Sequence, residues 1–275
     1  MSLDYAALQK AIIQIAADTR TGVLEIYNDK DRWDAESKSD DSPITAADKY
    51  VHECLTAGLT ELTPDIPVLS EESQLPSWET RQSWDRYWII DPLDGTKEFI
   101  NRTGEFTVNV ALIEGNSPTV SVVYVPIQDV TYSAIKGQGA IKIDEEGEAP
   151  IKSKKLEAPG KIIGSRSHRS PKLEELLAVY ERNWGEYDVT SAGSSLKFCK
   201  VAEGSVDLYP RQGLTSEWDT AAAQLVVEEA GGKVLVADGS ELAYNTKDDI
   251  LNPFFMVVGD NDQDWSSLLP FLKQD

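Results

Sequence analysis

Six consecutive residues, Asp91-Pro92-Leu93-Asp94-Gly95-Thr96, carry the strongest chemical signal in the chain. Two carboxylates three apart flank a proline that fixes one backbone angle, and the glycine after them permits a tight turn. The apolar run Tyr87-Trp88-Ile89-Ile90 ahead of them reads as a strand, so the carboxylates fall where strand gives way to turn. Such a turn can aim Asp91, Asp94 and the carbonyl of Leu93 at one point, and an all-oxygen donor set suits a hard cation such as Mg²⁺. Two further acidic sites lie elsewhere: Glu71-Glu72 upstream, and Asp219 in Glu217-Trp218-Asp219-Thr220-Ala221-Ala222. Plain structural alternatives are a simple turn for Asp91 to Thr96 and a helix N-cap for Asp219. An N-cap there would also favour a phosphate through the helix dipole, so the two readings of Asp219 are compatible. Together the three sites point to metal-assisted chemistry on an anionic substrate.

That chemistry explains the residue types. A phosphate monoester resists attack by hydroxide because both are anions, and two Mg²⁺ roughly 4 Å apart relieve the repulsion, activate a water and neutralise the leaving oxygen. Glu71, Asp91, the Leu93 carbonyl, Asp94 and Asp219 supply enough oxygens for two such sites. Thr96 is placed to orient the attacking water, with Asp48 accepting its hydroxyl proton and Glu71 also near the reaction. Asp48 has a structural alternative, a capping arrangement with Thr45 at the start of a helix. With only two histidines in the chain, no Ser-His-Asp or Cys-His nucleophile is indicated, and His52, inside a helical pattern, reads as structural.

Composition excludes more than it selects. A formal charge of −21 with no Lys/Arg cluster argues against a nucleic-acid partner. Cys54 and Cys199 lie far apart in apolar helical patterns, so buried free thiols are expected rather than a disulfide. The first residues show no signal-peptide pattern, and no apolar run approaches a membrane span. The expectation is a cytoplasmic monomer or homodimer, with loose peripheral contact at the inner face of the membrane left open.

The elements that must position these residues follow from periodicity. Residues 4 to about 27 read as one amphipathic helix with a break near Gly22, and 28 to 42 as a polar loop or a flap carrying Lys38 or Asp40 to the site. A second helix opens at Thr45, and Val68-Leu69 is a short strand delivering Glu71. Strand-like runs from Phe106 to Ile113, Val120 to Val125 and Val130 to Ile135 suggest an antiparallel meander, followed by a hairpin and a crossing over 137–159. Strands near 161–165, 186–190, 205–209, 233–237 and 254–258 alternate with helices at 171–183, 194–203 and 218–230. The pattern is α+β in layers, with an N-terminal lobe over 1–155 carrying most metal ligands and a C-terminal lobe over 156–275.

Glu71-Glu72-Ser73, Asp91 to Thr96 and Trp218 to Ala222 resemble the three signatures of the inositol monophosphatase-like superfamily of lithium-sensitive, magnesium-dependent phosphatases. Asp91 to Phe99, Gly104-Glu105-Phe106-Thr107-Val108-Asn109, Ser165-Arg166-Ser167-His168, Gly193 to Cys199 and Leu208-Tyr209-Pro210-Arg211 resemble its bacterial 3'(2'),5'-bisphosphate nucleotidase branch. The resemblance implies a layered α-β-α-β-α sandwich with two closely packed lobes. It implies two or three Mg²⁺ on Glu71, Asp91, Leu93, Asp94 and Asp219, with Asp48 and Thr96 handling the water. Gly95, Thr96, His168, Ser194, Lys197, Arg211 and Asp219 would contact the substrate. That substrate would be adenosine 3',5'-bisphosphate, a by-product of sulfate activation and sulfotransfer, with 3'-phosphoadenylyl sulfate as a second. One departure is Thr215-Ser216-Glu217 ahead of Trp218, a charge expected at the pocket's rim. The rival expectations are a phosphatase of inositol phosphates or fructose 1,6-bisphosphate, for which Lys197 and Arg211 would be superfluous, and a non-catalytic acidic cation-binding protein.

Overall fold

The computed structural model describes residues 3–33, 36–37, 43–164 and 170–274. The N-terminal segment forms two helices, α1 (Tyr5–Asp18) and α2 (Arg20–Asn28), parted at the buried Thr19 rather than near Gly22. The Thr19 hydroxyl donates back to the Ala16 carbonyl at 2.6 Å, a bond that competes with the helix and bends it. Gly22 serves close packing: a Cβ there would lie 2.3 Å from the Tyr50 ring. The two-residue strands β1 (Glu36–Ser37) and β2 (Pro43–Ile44) pair antiparallel, while Lys38 and Asp40 lie outside the described residues. Helix α3 (Ala46–Leu62) starts on the expected capping box, Thr45 with Asp48.

Strand β3 (Val68–Ser70), the one-turn helix α4 (Trp78–Arg81), strand β4 (Arg86–Asp94) and the short helix α5 (Thr96–Ile100) come next. The meander is β5 (Thr107–Glu114), β6 (Ser117–Val125) and β7 (Val130–Ile135), extended by the hairpin β8 (Gly139–Asp144) and β9 (Gly147–Ile151). These strands form one seven-stranded sheet in sequence order β3 to β9, antiparallel except for β3 beside β4. The remainder comprises β10 (Gly160–Gly164), α6 (Pro171–Trp184), β11 (Tyr187–Ser191), α7 (Leu196–Ala202), β12 (Leu208–Arg211), α8 (Glu217–Glu229), β13 (Lys233–Val236) and β14 (Phe255–Val258). Its strands make a second sheet in the order β11-β10-β12-β14-β13.

The layers follow from which side chains each face presents. Trp88, Ile90, Val108, Val110 and Leu112 pack with Ile12, Val51 and Leu55 of α1 and α3. Their neighbours Tyr87, Ile89, Ala111 and Ile113 pack on the other side with Leu225 and Val226 of α8 and Phe198 of α7. Both faces of the large sheet are therefore covered, which is why β4 and β5 are apolar nearly throughout rather than alternating. On the far side of the small sheet, Leu176 and Tyr180 of α6 pack on Ile162, Leu208 and Met256. The order is α-β-α-β-α, as the resemblance implies. Among the described residues no helix is long and apolar enough to cross a membrane. Cys199 is buried and Cys54 half-buried, both as free thiols.

The middle layer carries a titratable weak point. Glu228 on α8 is pushed up to about 7, by burial first, and its bond from Gln224 Nε2 at 2.7 Å only partly offsets this. A carboxyl held above its ordinary 4.5 favours the folded state fully below that value, and the benefit is lost as pH rises through about 7. Glu228→Gln should therefore melt at the same temperature as the parent at pH 4.5. At pH 8 it should be more stable by ~1–2 kcal/mol, a shift discounted for partial exposure. Melting curves against pH check this.

Candidate active site

Three elements deliver carboxylates to one seam. The chain leaves β3 at Glu71, β4 carries Asp91 and Asp94, and α8 presents Asp219 from its first turn. Oxygens of Glu71, Asp91 and Asp219 all lie within 4.8 Å of one another. Strand β4 does not end at Asp91 but runs on to Asp94, its register against β5 shifting between the two, so both aspartates are held by ladder pairing. Asp91 is almost wholly buried; its Oδ1 accepts the Leu93 N–H at 3.0 Å, and its Oδ2 has no partner among the described residues. Burial, and then Glu71, Asp94 and Asp219, push the Asp91 carboxyl well above the usual carboxylate range. Asp219 is pushed the same way by burial and by Asp94 and Glu71. Asp94 rises to about 6, burial again leading, with Lys197 and the Ser195 N–H opposing.

The structure brings Thr96 and Asp48 together. The Thr96 hydroxyl donates to Asp48 Oδ1 at 3.2 Å. The other oxygen, Oδ2, accepts both the backbone N–H and the hydroxyl of Thr45, at 2.8 and 2.5 Å. The cap thus occupies one oxygen of Asp48 and leaves the other to Thr96, so the capping geometry is compatible with the functional reading. Burial raises this carboxyl as well, more than the Thr45 bonds lower it, so it is a better base than an exposed aspartate. Gly95 sits between, at a φ of 98°, where a Cβ would press on Ser194 and Phe106 at 3.3 Å. Only glycine permits both that backbone and that approach.

The facing wall comes from the segment before α7. Ser194, at a φ of 49°, lies against Gly95, and the next N–H, from Ser195, donates to Asp94 Oδ2 at 2.5 Å. Lys197 is a buried cation rather than an exposed helix charge. Its Nζ donates to the Ala192 carbonyl at 3.3 Å and stands 5.4 Å from the Tyr209 ring centroid. Burial brings it down to about 8 despite the attraction of Asp94. Arg211 turns part of its guanidinium to the carbonyls of Gly213 and Leu214, at 3.2 and 2.9 Å. Beside it is a largely apolar cavity of about 140 Å³ among Ile162, Leu173, Leu177, Tyr209 and Gln212. His168 lies outside the described residues.

Glu217 corrects an expectation. It does not rim the pocket: it is 2% exposed and both carboxylate oxygens accept the Asn245 N–H, at 2.9 and 3.0 Å. Asn245 in turn bonds the fully buried Arg81, through Oδ1 at 3.2 Å and through its Nδ2 to the Arg81 carbonyl at 2.8 Å. This buried set ties α4 to the head of α8 and so fixes the helix that carries Asp219. Sequence reading gave no role to Arg81 or Asn245, which are separated by 164 positions. An arginine on a one-turn helix and an asparagine in a loop offer no periodic signal.

The donor set fits a hard cation. Three clustered carboxylates, with an Asp91 oxygen that has no hydrogen-bond partner among the described residues, are an arrangement that a divalent ion would satisfy. With this geometry comes the family: the chain matches the inositol monophosphatase family over residues 4–260, and it belongs to that family. Within it, the chain is 47% identical over 246 residues to the 3'(2'),5'-bisphosphate nucleotidase CysQ of Escherichia coli (strain K12), covering 90% of this chain and 97% of that protein. The crystal structure of CysQ from Bacteroides thetaiotaomicron, 38% identical, matches with a TM-score of 0.83 over 94% of this chain and 99% of that one. An inositol monophosphatase from Anabaena (Nostoc) sp. PCC 7120 shares the fold, with a TM-score of 0.74 at 22% identity over 98% and 96% of the two chains.

The cluster makes a prediction independent of any substrate. Asp91→Asn should raise the melting temperature of the metal-free protein by a few degrees, on the order of 1 kcal/mol, because it removes mutual repulsion. Mg²⁺ should stabilise the parent, and the same substitution should abolish that effect. Thermal shift with EDTA and with millimolar Mg²⁺ reads both effects in one experiment.

Proposed function

We propose that the protein is a Mg²⁺-dependent phosphatase that removes the 3'-phosphate of adenosine 3',5'-bisphosphate, giving AMP and phosphate, and that also acts on 3'-phosphoadenylyl sulfate. The observation that carries this reading is the buried carboxylate cluster set beside the Thr96–Asp48 pair and faced by two cations, in a chain 47% identical to a nucleotidase. Glu71, Asp91, the Leu93 carbonyl, Asp94 and Asp219 would hold two or three Mg²⁺. Bound there, the ions would supply Lewis acidity and cancel the charge that keeps a nucleophile from the phosphorus.

The chain's own residues do the rest. The Thr96 oxygen, donating its proton to Asp48, keeps its lone pairs to accept a hydrogen bond from the attacking water and hold it in line. Asp48 then takes up the proton through Thr96, a role for which its raised basicity suits it. Ser194, Lys197 and Arg211 would take the retained 5'-phosphate, and a second anionic group is the physical reason for two cations at this wall. The cavity beside Arg211 and Tyr209 has room for a flat aromatic ring, which would place the base next to its phosphates. His168 would complete the contacts from the neighbouring segment.

Phosphate release from adenosine 3',5'-bisphosphate and from inositol 1-phosphate, with Mg²⁺ and with or without lithium, tests the reading. The nucleotide should be strongly preferred and lithium should inhibit. Preference for the inositol ester would keep the metal chemistry and overturn the substrate. In the same assay Thr96→Val should lower kcat by roughly 10²-fold or more, with a much smaller change in KM. An unchanged kcat would remove Thr96 from the mechanism.

A further inference from the structure

Directly opposite the two aspartates of β4, the neighbouring strand carries two buried polar side chains. Asn109 is the register partner of Asp91, and Thr107 that of Asp94. Both are at most 1% exposed, on the face of β5 that meets the segment before α7. There they hold the Ser195 side chain, itself 2% exposed, in a closed ring of hydrogen bonds. Ser195 Oγ donates to Asn109 Oδ1 at 2.8 Å, and Asn109 Nδ2 donates to Thr107 Oγ1 at 3.3 Å. Thr107 Oγ1 lies 2.8 Å from Ser195 Oγ and closes the ring by donating to it. Each of the two hydroxyls in the ring then donates once and accepts once, and the Asn109 amide both donates and accepts within it.

Burying this ring costs desolvation, and hydrophobic side chains could fill the same space. What it secures is position. Ser195 offers its side chain to β5 and its backbone N–H to Asp94 Oδ2, so the ring fixes the donor that orients that carboxylate. It also anchors the residue following Ser194, whose left-handed φ of 49° is strained for a non-glycine and persists only where its surroundings impose it.

We infer that Thr107, Asn109 and Ser195 form a positioning ring that sets both Asp94 for the metal and Ser194 for the substrate, coupling the two halves of the site through one strand. The inference rests on the roles proposed above for Asp94 and Ser194. Outer partners of metal ligands typically change affinity or activity by about 10–100-fold when removed.

The test uses the full-length protein as Thr107→Val, Thr107→Ser, Ser195→Ala and Asp94→Asn. Calorimetric Mg²⁺ binding is measured well below each melting temperature, alongside kcat and KM for adenosine 3',5'-bisphosphate. Thr107→Val and Ser195→Ala should weaken Mg²⁺ binding and lower kcat about tenfold, while Thr107→Ser, which keeps the hydroxyl, should recover most of both. If Thr107→Val does not fold, Ser195→Ala, lacking a single oxygen, decides the matter alone. Mg²⁺ affinity and kcat matching the parent, with only the melting temperature lowered, would make the ring purely structural and overturn the inference. A parent that binds no Mg²⁺, or an Asp94→Asn variant that binds it as the parent does, would overturn the site assignment and this inference with it.

Discussion

Carboxylates that crowd together out of water repel one another, and this chain is built around such a crowd. Glu71, Asp91 and Asp219 converge from two strands and a helix, with Asp91 almost wholly buried and its Oδ2 without a hydrogen-bond partner among the described residues. Burial and mutual repulsion both favour protonation, so the apo cluster is a strained arrangement that the rest of the fold has to enforce. A divalent cation held there would outweigh the repulsion and favour the ionised carboxylates. The fold's rigidity is thus spent at one place, and the neighbouring structure is intelligible as what holds that place still.

The enforcement is of two kinds. Ladder pairing fixes Asp91 and Asp94, because β4 lies between β3 and β5 and cannot slip without moving every side chain to the opposite face. Buried polar sets fix the rest: the Thr45 cap on Asp48, the Arg81–Asn245–Glu217 set at the head of α8, and the ring around Ser195. The last two span elements distant in sequence, the first closes within one helix turn, and in a low-dielectric interior such paired groups are directional. Apolar packing on both faces of the large sheet supplies the stability against which these sets are held.

The alternation of strands and helices and the Asp91–Thr96 carboxylates were legible in the sequence because both follow local patterns, while the order of the layers came from the resemblance. Alternating β and α patterns after residue 160 give the second sheet, and the Asp91–Thr96 turn is contiguous. The capping box at Thr45 was readable for the same reason. What was not legible is long-range or very short. Helix α5 is five residues long and begins on a left-handed glycine, below the length at which periodicity means anything. Thr19 breaks the first helix by a side-chain bond that composition does not announce, whereas Gly22, the obvious breaker, is needed for contact with Tyr50. Glu217 looked like a charge at the rim because charged residues are rarely buried, and its partner Asn245 lies 28 positions away.

The acidity of the chain bears on the same question from outside. A net charge of −21 would repel an anionic ligand at long range, yet mobile salt reduces that field within about 8 Å at physiological ionic strength. Attraction must therefore come from groups close to the bound molecule, in a seam where salt does not screen them. Lys197 and Arg211 occupy such positions, Lys197 6% exposed and faced by Asp94. An exposed lysine on this surface would be cancelled by its neighbours, whereas a buried one keeps its field for whatever enters the seam. The cost of burying it shows in a pKa brought down to about 8, and Asp94 is what keeps it from falling further. One aspartate thus faces the carboxylate cluster on one side and on the other favours the charged form of the buried Lys197.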